Sequence, residues 1–298
     1  MNAAARLLLA LVWLLHLLPL PVLSAVGGAV GALLYRFGRS RRAVALRNLE
    51  LCLPELPAAE REALARRHFG WVAKSFIERG VLWYASPARL KRLIRVEGDV
   101  GLAERSGKPV MWLVPHFVAL DVAGVATQLF QKQWVASIYQ AQSNPVLDAA
   151  IRRGRLRFDQ GEVFARQESA LPLVRAVKKK KAAFFNLPDM DFGARDSAFV
   201  PFFGVPAATL LAPSRLARSL GMVVQPVVAE ALPGGRGWRV RFLEPWTDWP
   251  TENAEADAAR MNAWIETEIR RNPAQYLWVH KRFKTRPEGQ PSLYDKPR

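Results

Sequence analysis

Short apolar runs alternate along the chain with segments whose apolar residues repeat at helical spacing. The short runs are typical of strands buried in a sheet, and they lie at residues 93–96, 110–114, 135–139, 162–165 and 182–187. The segments with helical spacing lie between them, at residues 117–130, 144–156 and 168–181. This order favours an α/β fold, with a mostly parallel mixed central sheet and helices on both of its faces.

The rest of the chain flanks this alternating region. Helical spacing predicts further helices at residues 41–53, 57–69, 69–84, 211–220 and 253–271. Two more strands are predicted at residues 222–229 and 238–243, joined as a hairpin through the sequence PGGRG. Residues 197–211 are apolar but broken by Pro and Gly, so we expect an irregular loop that covers another part of the protein or contacts lipid.

The N-terminal segment is the most apolar part of the chain. Residues 7–35 carry no formal charge, and as one helix they would extend about 43 Å, against a hydrocarbon core of about 30 Å. Pro19 and Pro21 interrupt this segment, so a kinked span and a shallow re-entrant pair of helices both remain open. A cleaved signal peptide fits less well, because a cut after Ala25 would place Leu23 where a small residue is needed.

We therefore predict an N-terminal membrane anchor helix at residues 1–36 and a second domain at residues 37–298. Five arginines follow the apolar segment, at Arg36, Arg39, Arg41, Arg42 and Arg47. By the positive-inside rule these arginines place the second domain on the cytoplasmic face of the membrane, where they also attract anionic lipid headgroups.

Composition narrows the classes of function. The formal net charge of +17 favours an anionic partner, which includes nucleic acid, a membrane surface or an acidic protein. Cys52 is the only cysteine, so the chain forms no internal disulfide, and its four histidines show no zinc-ligand spacing. We expect a protein of a reducing compartment without a structural metal.

Two polar residues, His116 and Asp121, interrupt the apolar stretch from residue 108 to residue 130. The pattern places His116 in the turn after a buried strand and Asp121 in the first turn of the following helix, where a side-chain contact between them is geometrically allowed. A histidine oriented by a carboxylate is a natural general base. The competing interpretation is a histidine satisfied in the interior and an aspartate that stabilises a helix start.

A second polar cluster follows the strand predicted at residues 182–187. It contains Asp189, Asp191 and Arg195. Because ligands bind beyond the carboxyl ends of the strands in open α/β sheets, we expect this cluster and His116 to lie at the same edge.

Four segments carry a family resemblance. They are the H-x4-D pattern of His116 and Asp121, RRAVALRNLELCLPEL (residues 41–56), PDMDFGARDSAFVPFFGVPAAT (residues 188–209) and YLWVHKRFKTRPEG (residues 276–289). Together they resemble the late, secondary acyltransferases of bacterial lipid A biosynthesis, the lauroyl and myristoyl transferases. The phosphate motif FPEGTR of the glycerol-phosphate branch is absent after the H-x4-D helix.

The resemblance implies a glycerolipid-acyltransferase-like fold and a set of site residues. His116 would be the general base and Asp121 its orienting carboxylate. Substrate binding would involve one of Arg153, Arg155 and Arg157, one of Asp189 and Asp191, and also Arg195.

The resemblance also implies a reaction and a location. The chain would be an O-acyltransferase of the bacterial inner membrane, moving an acyl group from acyl carrier protein to the 3-hydroxyacyl chain of a lipid A precursor. Acyl-loaded carrier protein would be a co-substrate, and no separate cofactor or metal is implied. Its partners would be the carrier protein, the lipid A precursor and the anionic membrane, without nucleic acid.

Two alternatives remain, one of the same enzyme class and one from another class. One is an acyltransferase that acts on a lysophospholipid or a glycolipid. The other is a non-catalytic module that binds nucleic acid or anionic lipid, which predicts basic residues interleaved with exposed aromatics in one groove. Most aromatic residues of this chain lie in apolar runs instead.

Overall fold

Four helices, α1 to α4, form the first part of the chain. In the computed structural model, which describes residues 2–167 and 170–295, they span Asn2–Leu15, Leu20–Phe37, Arg39–Cys52 and Ala58–Tyr84. The predicted interruption at Pro19 and Pro21 is confirmed, since Pro19 precedes α2 and Pro21 lies in its first turn, where a missing N–H costs nothing. The helices predicted at residues 57–69 and 69–84 form the single helix α4.

Helix α2 packs along α4 through glycines. A Cβ atom on Gly31 would lie 2.5 Å from Cα of Gly70, and one on Gly27 would lie 2.6 Å from Cγ of Lys74. The residues of α2 that face α4 are buried, and they include Leu23 and Tyr35. The two backbones therefore approach each other closely, and α2 is part of the folded body of the protein.

Nine strands follow, β1 to β9. They span Ile94–Gly98, Val110–Leu113, Val135–Tyr139, Gly161–Ala165, Ala183–Asn186, Ser197–Phe202, Val205–Leu210, Val223–Ala231 and Trp238–Phe242. Seven of them form one sheet in the order β1-β9-β8-β2-β5-β3-β4. All neighbouring pairs in this sheet are parallel except β8 with β9, so the predicted mostly parallel mixed sheet and its hairpin are confirmed.

Helices cover both faces of this sheet. The remaining helices, α5 to α11, span Pro87–Leu93, Leu102–Arg105, Leu120–Leu129, Pro145–Arg155, Leu171–Lys180, Ala212–Ser219 and Ala254–Arg271. Strand β2 is buried throughout and divides the core in two. Val110 and Trp112 pack in the cluster that contains α7, whereas Met111 and Leu113 pack in the cluster that contains α9 and α11.

Three elements differ from the sequence prediction. Residues 197–211 form the antiparallel hairpin β6–β7 rather than an irregular loop, with a two-residue turn at Phe203 and Gly204, both at positive φ. The hairpin buries Phe202 against the core below α11, which explains its apolar character. Helices α5 and α6 were not predicted, because each is too short to show a clear period. The first two residues of the helix predicted at residues 168–181 lie outside the described residues, and the described part begins at Leu171.

Glu78 on α4 is a buried carboxyl group in this core. Its side chain accepts a hydrogen bond from Nε1 of Trp238 on β9, with 3.2 Å between the nitrogen and Oε2. Burial raises the pKa of Glu78 to about 7, although the Trp238 hydrogen bond and the charge of Lys74 oppose the shift. A raised carboxyl pKa means that the folded state holds the proton more tightly than the unfolded state.

We predict that Gly31→Ala destabilises the protein and that Gly28→Ala does not. The added methyl group at residue 31 would meet the backbone of α4, which costs about 1–3 kcal/mol of unfolding free energy. At residue 28 the same methyl group has its nearest neighbour at 3.8 Å, and alanine favours the helix by up to about 1 kcal/mol. Thermal unfolding of both variants in detergent checks this, and equal midpoints would contradict the close packing of α2 on α4.

We also predict that Glu78→Gln removes part of the pH dependence of stability. In the wild type, the protonated Glu78 contributes its full stabilisation below the ordinary carboxyl pKa. This contribution is lost as the pH rises towards 7. The difference in unfolding free energy between the variant and the wild type should therefore shift in favour of the variant by roughly 3 kcal/mol when the pH is raised from 5 to 8. Denaturant unfolding at both pH values measures this shift. The matched change at the exposed Glu60 of α4, Glu60→Gln, should leave the pH dependence unaltered.

Candidate functional site

His116 lies in the turn between β2 and α7, at the carboxyl edge of the sheet. The C-terminal segment, residues 272–295 after α11, holds this turn in place through two backbone hydrogen bonds. The N–H of Val118 donates to the carbonyl of Gln275 (2.8 Å), and the N–H of Leu277 donates to the carbonyl of His116 (3.0 Å). The imidazole is 12% exposed and therefore accessible from solvent. The predicted position of the histidine is confirmed.

Asp189 is the carboxylate that contacts His116. Oδ1 of Asp189 lies 2.7 Å from Nδ1 of His116, and Oδ2 accepts the backbone N–H of His116 at 2.9 Å. Strands β2 and β5 are parallel neighbours, so the residues that follow them meet at the same edge. Burial alone would raise the pKa of Asp189, but the charge of His116 and these hydrogen bonds outweigh burial and lower it.

Asp121 lies in the first turn of α7, as predicted, but the expected hydrogen bond to His116 is not formed. Its carboxylate instead pairs with Arg79 of α4 (2.8 Å) and Arg155 of α8 (3.1 Å). Burial opposes the charge of Asp121, yet the two guanidinium groups outweigh burial and lower its pKa to about 2. The first turn of α7 faces α4 and α8, whereas Asp189 approaches His116 from β5. This difference in direction explains why Asp121 does not contact the histidine.

The two arginines join three helices at this point. The guanidinium carbon of Arg79 lies 4.8 Å from the ring centre of Phe76 and 6.0 Å from that of Trp83, all on α4. Arg155 is at the C-terminal end of α8, which the helix dipole favours for a cation. A fixed negative charge at Asp121 therefore holds two positive charges beside the site.

The other predicted site residues have different positions. Asp191 accepts hydrogen bonds from the backbone N–H and the hydroxyl of Thr285, both at 2.7 Å, and so holds the C-terminal segment. Arg157 donates to the carbonyls of Leu82 and Ala85 at the end of α4. Arg153 is exposed on α8, and Arg195 is 96% exposed and 3.7 Å from Asp196. Within each predicted set, only Asp189 and Arg155 pair with the side chains of His116 or Asp121.

Two aromatic residues of the C-terminal segment also belong to the site. Tyr276 is buried near Asp189, and burial together with the carboxylate charge raises the Tyr276 pKa well above its ordinary value. Nε2 of His280 accepts the backbone N–H of Asp191 at 3.2 Å. Burial and the charge of His116 lower the pKa of His280 to about 4, so this ring is neutral near pH 7. The segment YLWVHKRFKTRPEG contributed only to the family resemblance, because no local sequence pattern indicates that it lies next to His116.

An apolar cleft begins beside Asp121. Its volume, counted together with the open solvent at its mouth, is about 630 Å³. Its lining comes from α4, α7, α8, β3, β4 and β5, and includes Trp83, Gly124, Val125, Leu156, Val163 and Phe185. Leu187, two residues before Asp189 in the chain, also lines the cleft.

A smaller cleft, about 320 Å³ when the open solvent at its mouth is counted, also begins at Asp121. Val118 and Ala119 line it, two and three residues after His116, together with Trp71 and Trp238. Leu82 and Asp121 contribute to both clefts. Two apolar spaces therefore meet at Asp121.

The backbone donors of the turn are already used. The N–H of Phe117 donates to the carbonyl of Pro115 (2.7 Å) and that of Val118 to Gln275. Donors for a developing oxyanion could be backbone N–H groups near Phe117 or an arginine. Because these two N–H groups are occupied, Arg79 and Arg155 are the better candidates.

The arrangement is suited to deprotonating a hydroxyl group in an apolar setting. Among the described residues, Nε2 of His116 has no hydrogen-bond partner, while Nδ1 is held by Asp189. A histidine oriented in this way can accept a proton at Nε2, and the carboxylate stabilises the imidazolium that forms. Nearby guanidinium groups can stabilise negative charge that develops on a reacting carbonyl.

Comparisons with known proteins agree on one family. The family model described as bacterial lipid A biosynthesis acyltransferase matches residues 2–285. The chain is 35% identical to the lipid A biosynthesis lauroyltransferase of Escherichia coli K12, over 95% of this chain and 92% of the relative. It is 34% identical to the palmitoleoyltransferase of that organism (96% and 92% covered) and 31% identical to its myristoyltransferase (92% and 83% covered).

The family model spans nearly the whole chain, and each of these relatives is matched over most of its length. The resemblance noted from the four sequence segments is thereby confirmed. The chain belongs to the bacterial lipid A biosynthesis acyltransferases.

Proposed function

We propose that this chain transfers a fatty acyl group from an acyl carrier protein thioester to the 3-hydroxyl of an acyl chain on a lipid A precursor. The observation that carries the proposal is the pairing of His116 with Asp189, which holds Nδ1 and leaves Nε2 available for a proton. Membership of the family supports acyl transfer in lipid A biosynthesis. The thioester donor, the 3-hydroxyl acceptor and the residue roles below are our inferences.

The reaction begins with proton transfer to His116. Nε2 takes the proton of the acceptor hydroxyl while that oxygen attacks the thioester carbonyl carbon. The tetrahedral intermediate then collapses, the carbon–sulfur bond breaks, and His116 returns the proton to the departing sulfur. Asp189 keeps the proton on Nδ1 and stabilises the imidazolium between these steps.

Direct transfer without an acyl-enzyme fits the chemistry of this chain. Cys52 is buried, and burial raises the pKa of its thiol, so the reactive thiolate is disfavoured. The deprotonated acceptor hydroxyl is therefore the nucleophile. The acyl group needs no cofactor beyond its thioester carrier.

Asp121 acts through the two arginines it holds. Its carboxylate fixes Arg79 and Arg155 at the point where both clefts meet. Nε of Arg79 is buried and has no hydrogen-bond partner among the described residues. We infer that the two guanidinium groups stabilise the oxyanion of the tetrahedral intermediate. This role replaces the orienting role that the sequence suggested for Asp121.

The larger cleft holds the donor acyl chain, and the smaller cleft holds part of the acceptor chain. An acyloxyacyl product requires two hydrocarbon chains at one reaction centre, and two apolar spaces meet at Asp121, five residues after His116. The relatives are named for lauroyl, palmitoleoyl and myristoyl transfer, so their names do not fix the chain length used here. Chain length depends on how far the larger cleft extends past Gly124.

The partners follow from charge and polarity. Acyl carrier protein is acidic, and the exposed Arg153 on α8 and the exposed Arg195 are cations that it can contact. The lipid acceptor resides in a membrane, and the apolar N-terminal helices lie on the same chain as the site. We place the enzyme at the cytoplasmic face of the bacterial inner membrane.

We predict that His116→Ala lowers the rate of acyl transfer at least about a hundredfold, the usual scale for a removed general base. The assay uses purified protein, acyl carrier protein loaded with fatty acids of several lengths, and a defined lipid A precursor. Product formation is followed by mass spectrometry. Lysophospholipid acceptors are assayed in parallel, and faster transfer to them than to the lipid A precursor would contradict the proposed acceptor.

The carboxylate variants separate the roles within the site. Asp189→Asn should lower kcat strongly, because the amide cannot stabilise the imidazolium. The exposed Asp248→Asn, which only disturbs an ion pair with Arg260, should not change kcat. Wild-type activity in both His116→Ala and Asp189→Asn would refute the proposed base.

We predict that Gly124→Leu shortens the preferred donor chain. A Cβ atom at Gly124 has no neighbour within 4 Å, so the leucine side chain would extend into the cleft. Loss of contact for a few methylene groups, at about 0.8 kcal/mol each, should lower kcat/KM for the longest accepted donor at least about tenfold relative to one four carbons shorter. Gly124→Ala should shift the ratio less. An unchanged ratio in Gly124→Leu would place the acyl chain elsewhere.

A further inference from the structure

The two N-terminal helices expose an apolar stripe on one side. On α2, the exposed residues Val22, Val26, Val30, Leu33 and Phe37 recur every three or four positions. Helix α1 continues this apolar surface with exposed leucines, among them Leu7, Leu11 and Leu14. We call these exposed side chains of α1 and α2 the outer face. This exposed apolar area is continuous over two helices, whereas a soluble surface normally shows only isolated apolar residues.

The opposite stripe of α2 is fully used by the protein. Leu20, Leu23, Gly27, Gly31 and Tyr35 are buried, and the glycines bring the backbone of α2 against α4. Helix α1 also meets α4, because a Cβ atom on Gly80 would clash with the carbonyl of Val12. Both helices are therefore fixed to the domain and expose only the outer face.

This packing decides against a membrane-spanning α2. The helix has 18 residues and is apolar enough to cross a membrane by length and composition, but α4 would have to enter the hydrocarbon beside it. At the levels of Gly27 and Tyr35, α4 carries Lys74, Glu62 and Arg66. A charged residue at the centre of a bilayer costs at least about 2.5–3.5 kcal/mol.

Helix α1 cannot span the bilayer either. It has 14 residues, which corresponds to about 21 Å, against a hydrocarbon core of about 30 Å. Helices of this kind bury one face to a shallow depth in the headgroup and acyl boundary.

Charge identifies the occupant of the outer face as an anionic leaflet. Residues 2–48 contain arginines at positions 6, 36, 39, 41, 42 and 47 but no Asp or Glu. Arg36, Arg39 and Arg41 are exposed directly after or at the end of α2. Juxtamembrane arginines gain about 1 kcal/mol each near an anionic surface.

The outer face also continues towards the site. Phe76 of α4 is 58% exposed, and its ring stacks with Arg79, which pairs with Asp121. One helical turn therefore separates an exposed apolar side chain from the charged cluster.

We propose that α1 and α2 lie in the plane of a single anionic leaflet, inserted through the outer face, and that neither helix crosses the membrane. The N-terminus and the C-terminal segment are then on the same side of the bilayer. This proposal goes beyond the proposed function and does not depend on which lipid is acylated.

Cysteine labelling tests the topology of the full-length protein. Asn2→Cys and Glu288→Cys introduce exposed thiols near the two ends, while the native Cys52 is buried and serves as the unlabelled background. By helical spacing Asn2 lies on the side of α1 away from the outer face, so its thiol stays in water when that face is inserted. A membrane-impermeant maleimide is added to spheroplasts and to inverted inner-membrane vesicles. Both variants should be labelled only in inverted vesicles. Labelling of Asn2→Cys in spheroplasts, with Glu288→Cys still labelled only in inverted vesicles, would overturn the proposal.

A matched pair of alanine substitutions tests the outer face itself. Ala29 lies on the outer side of α2 and Ala263 on α11, and both are exposed. Ala29→Asp should lower binding to vesicles containing phosphatidylglycerol at least tenfold, whereas Ala263→Asp should not change it. Equal binding of the two variants would contradict insertion of this face. Acyl transfer measured in detergent stays near wild type in both variants, so a failed topology and a failed proposed function are distinguishable.

Discussion

The carboxylate of Asp189 is the contact on which the arrangement of the site depends. It accepts two hydrogen bonds from His116, one from the backbone and one from the ring. A buried carboxylate without such partners would be too costly to keep charged. The same contact therefore stabilises the carboxyl edge of the sheet and sets the tautomer of the histidine. It also ties that edge to the C-terminal segment, whose backbone pairs with the residues next to His116.

Two carboxylates near one histidine divide the work between them. Asp189 pairs with the imidazole, and Asp121 pairs with two guanidinium groups that would otherwise repel each other beside the clefts. A single carboxylate could not do both, because the imidazole and the two guanidinium groups approach from different directions. The positive charge at Arg79 and Arg155 is thus positioned independently of the base, which suits a reaction where charge develops on a different atom from the one deprotonated.

The sequence was sufficient for the parts of the fold that local burial controls. The strands at residues 110–114 and 135–139 and the helix start at Asp121 were predictable because the local pattern of apolar residues reflects which positions of an element are buried. The partner of His116 was not predictable from that signal, since it depends on β2 and β5 being neighbours in the sheet. Strand order is set by packing between distant segments. Tyr276 was missed for the same reason, and the hairpin β6–β7 was obscured by its prolines.

Helix α4 connects the membrane-facing surface with the chemistry. Phe76, Arg79 and Trp83 occur at spacings of three and four, so they share one side of the helix. Phe76 is at the exposed end of this row, Arg79 pairs with Asp121, and Trp83 lines the larger cleft. A rigid helix held against α2 by close glycine packing therefore fixes the distance between the surface and the base. If the outer face is inserted as proposed, this row of side chains leads from the bilayer surface to the cluster at Asp121, which favours catalysis at the membrane surface over extraction of whole lipids into water.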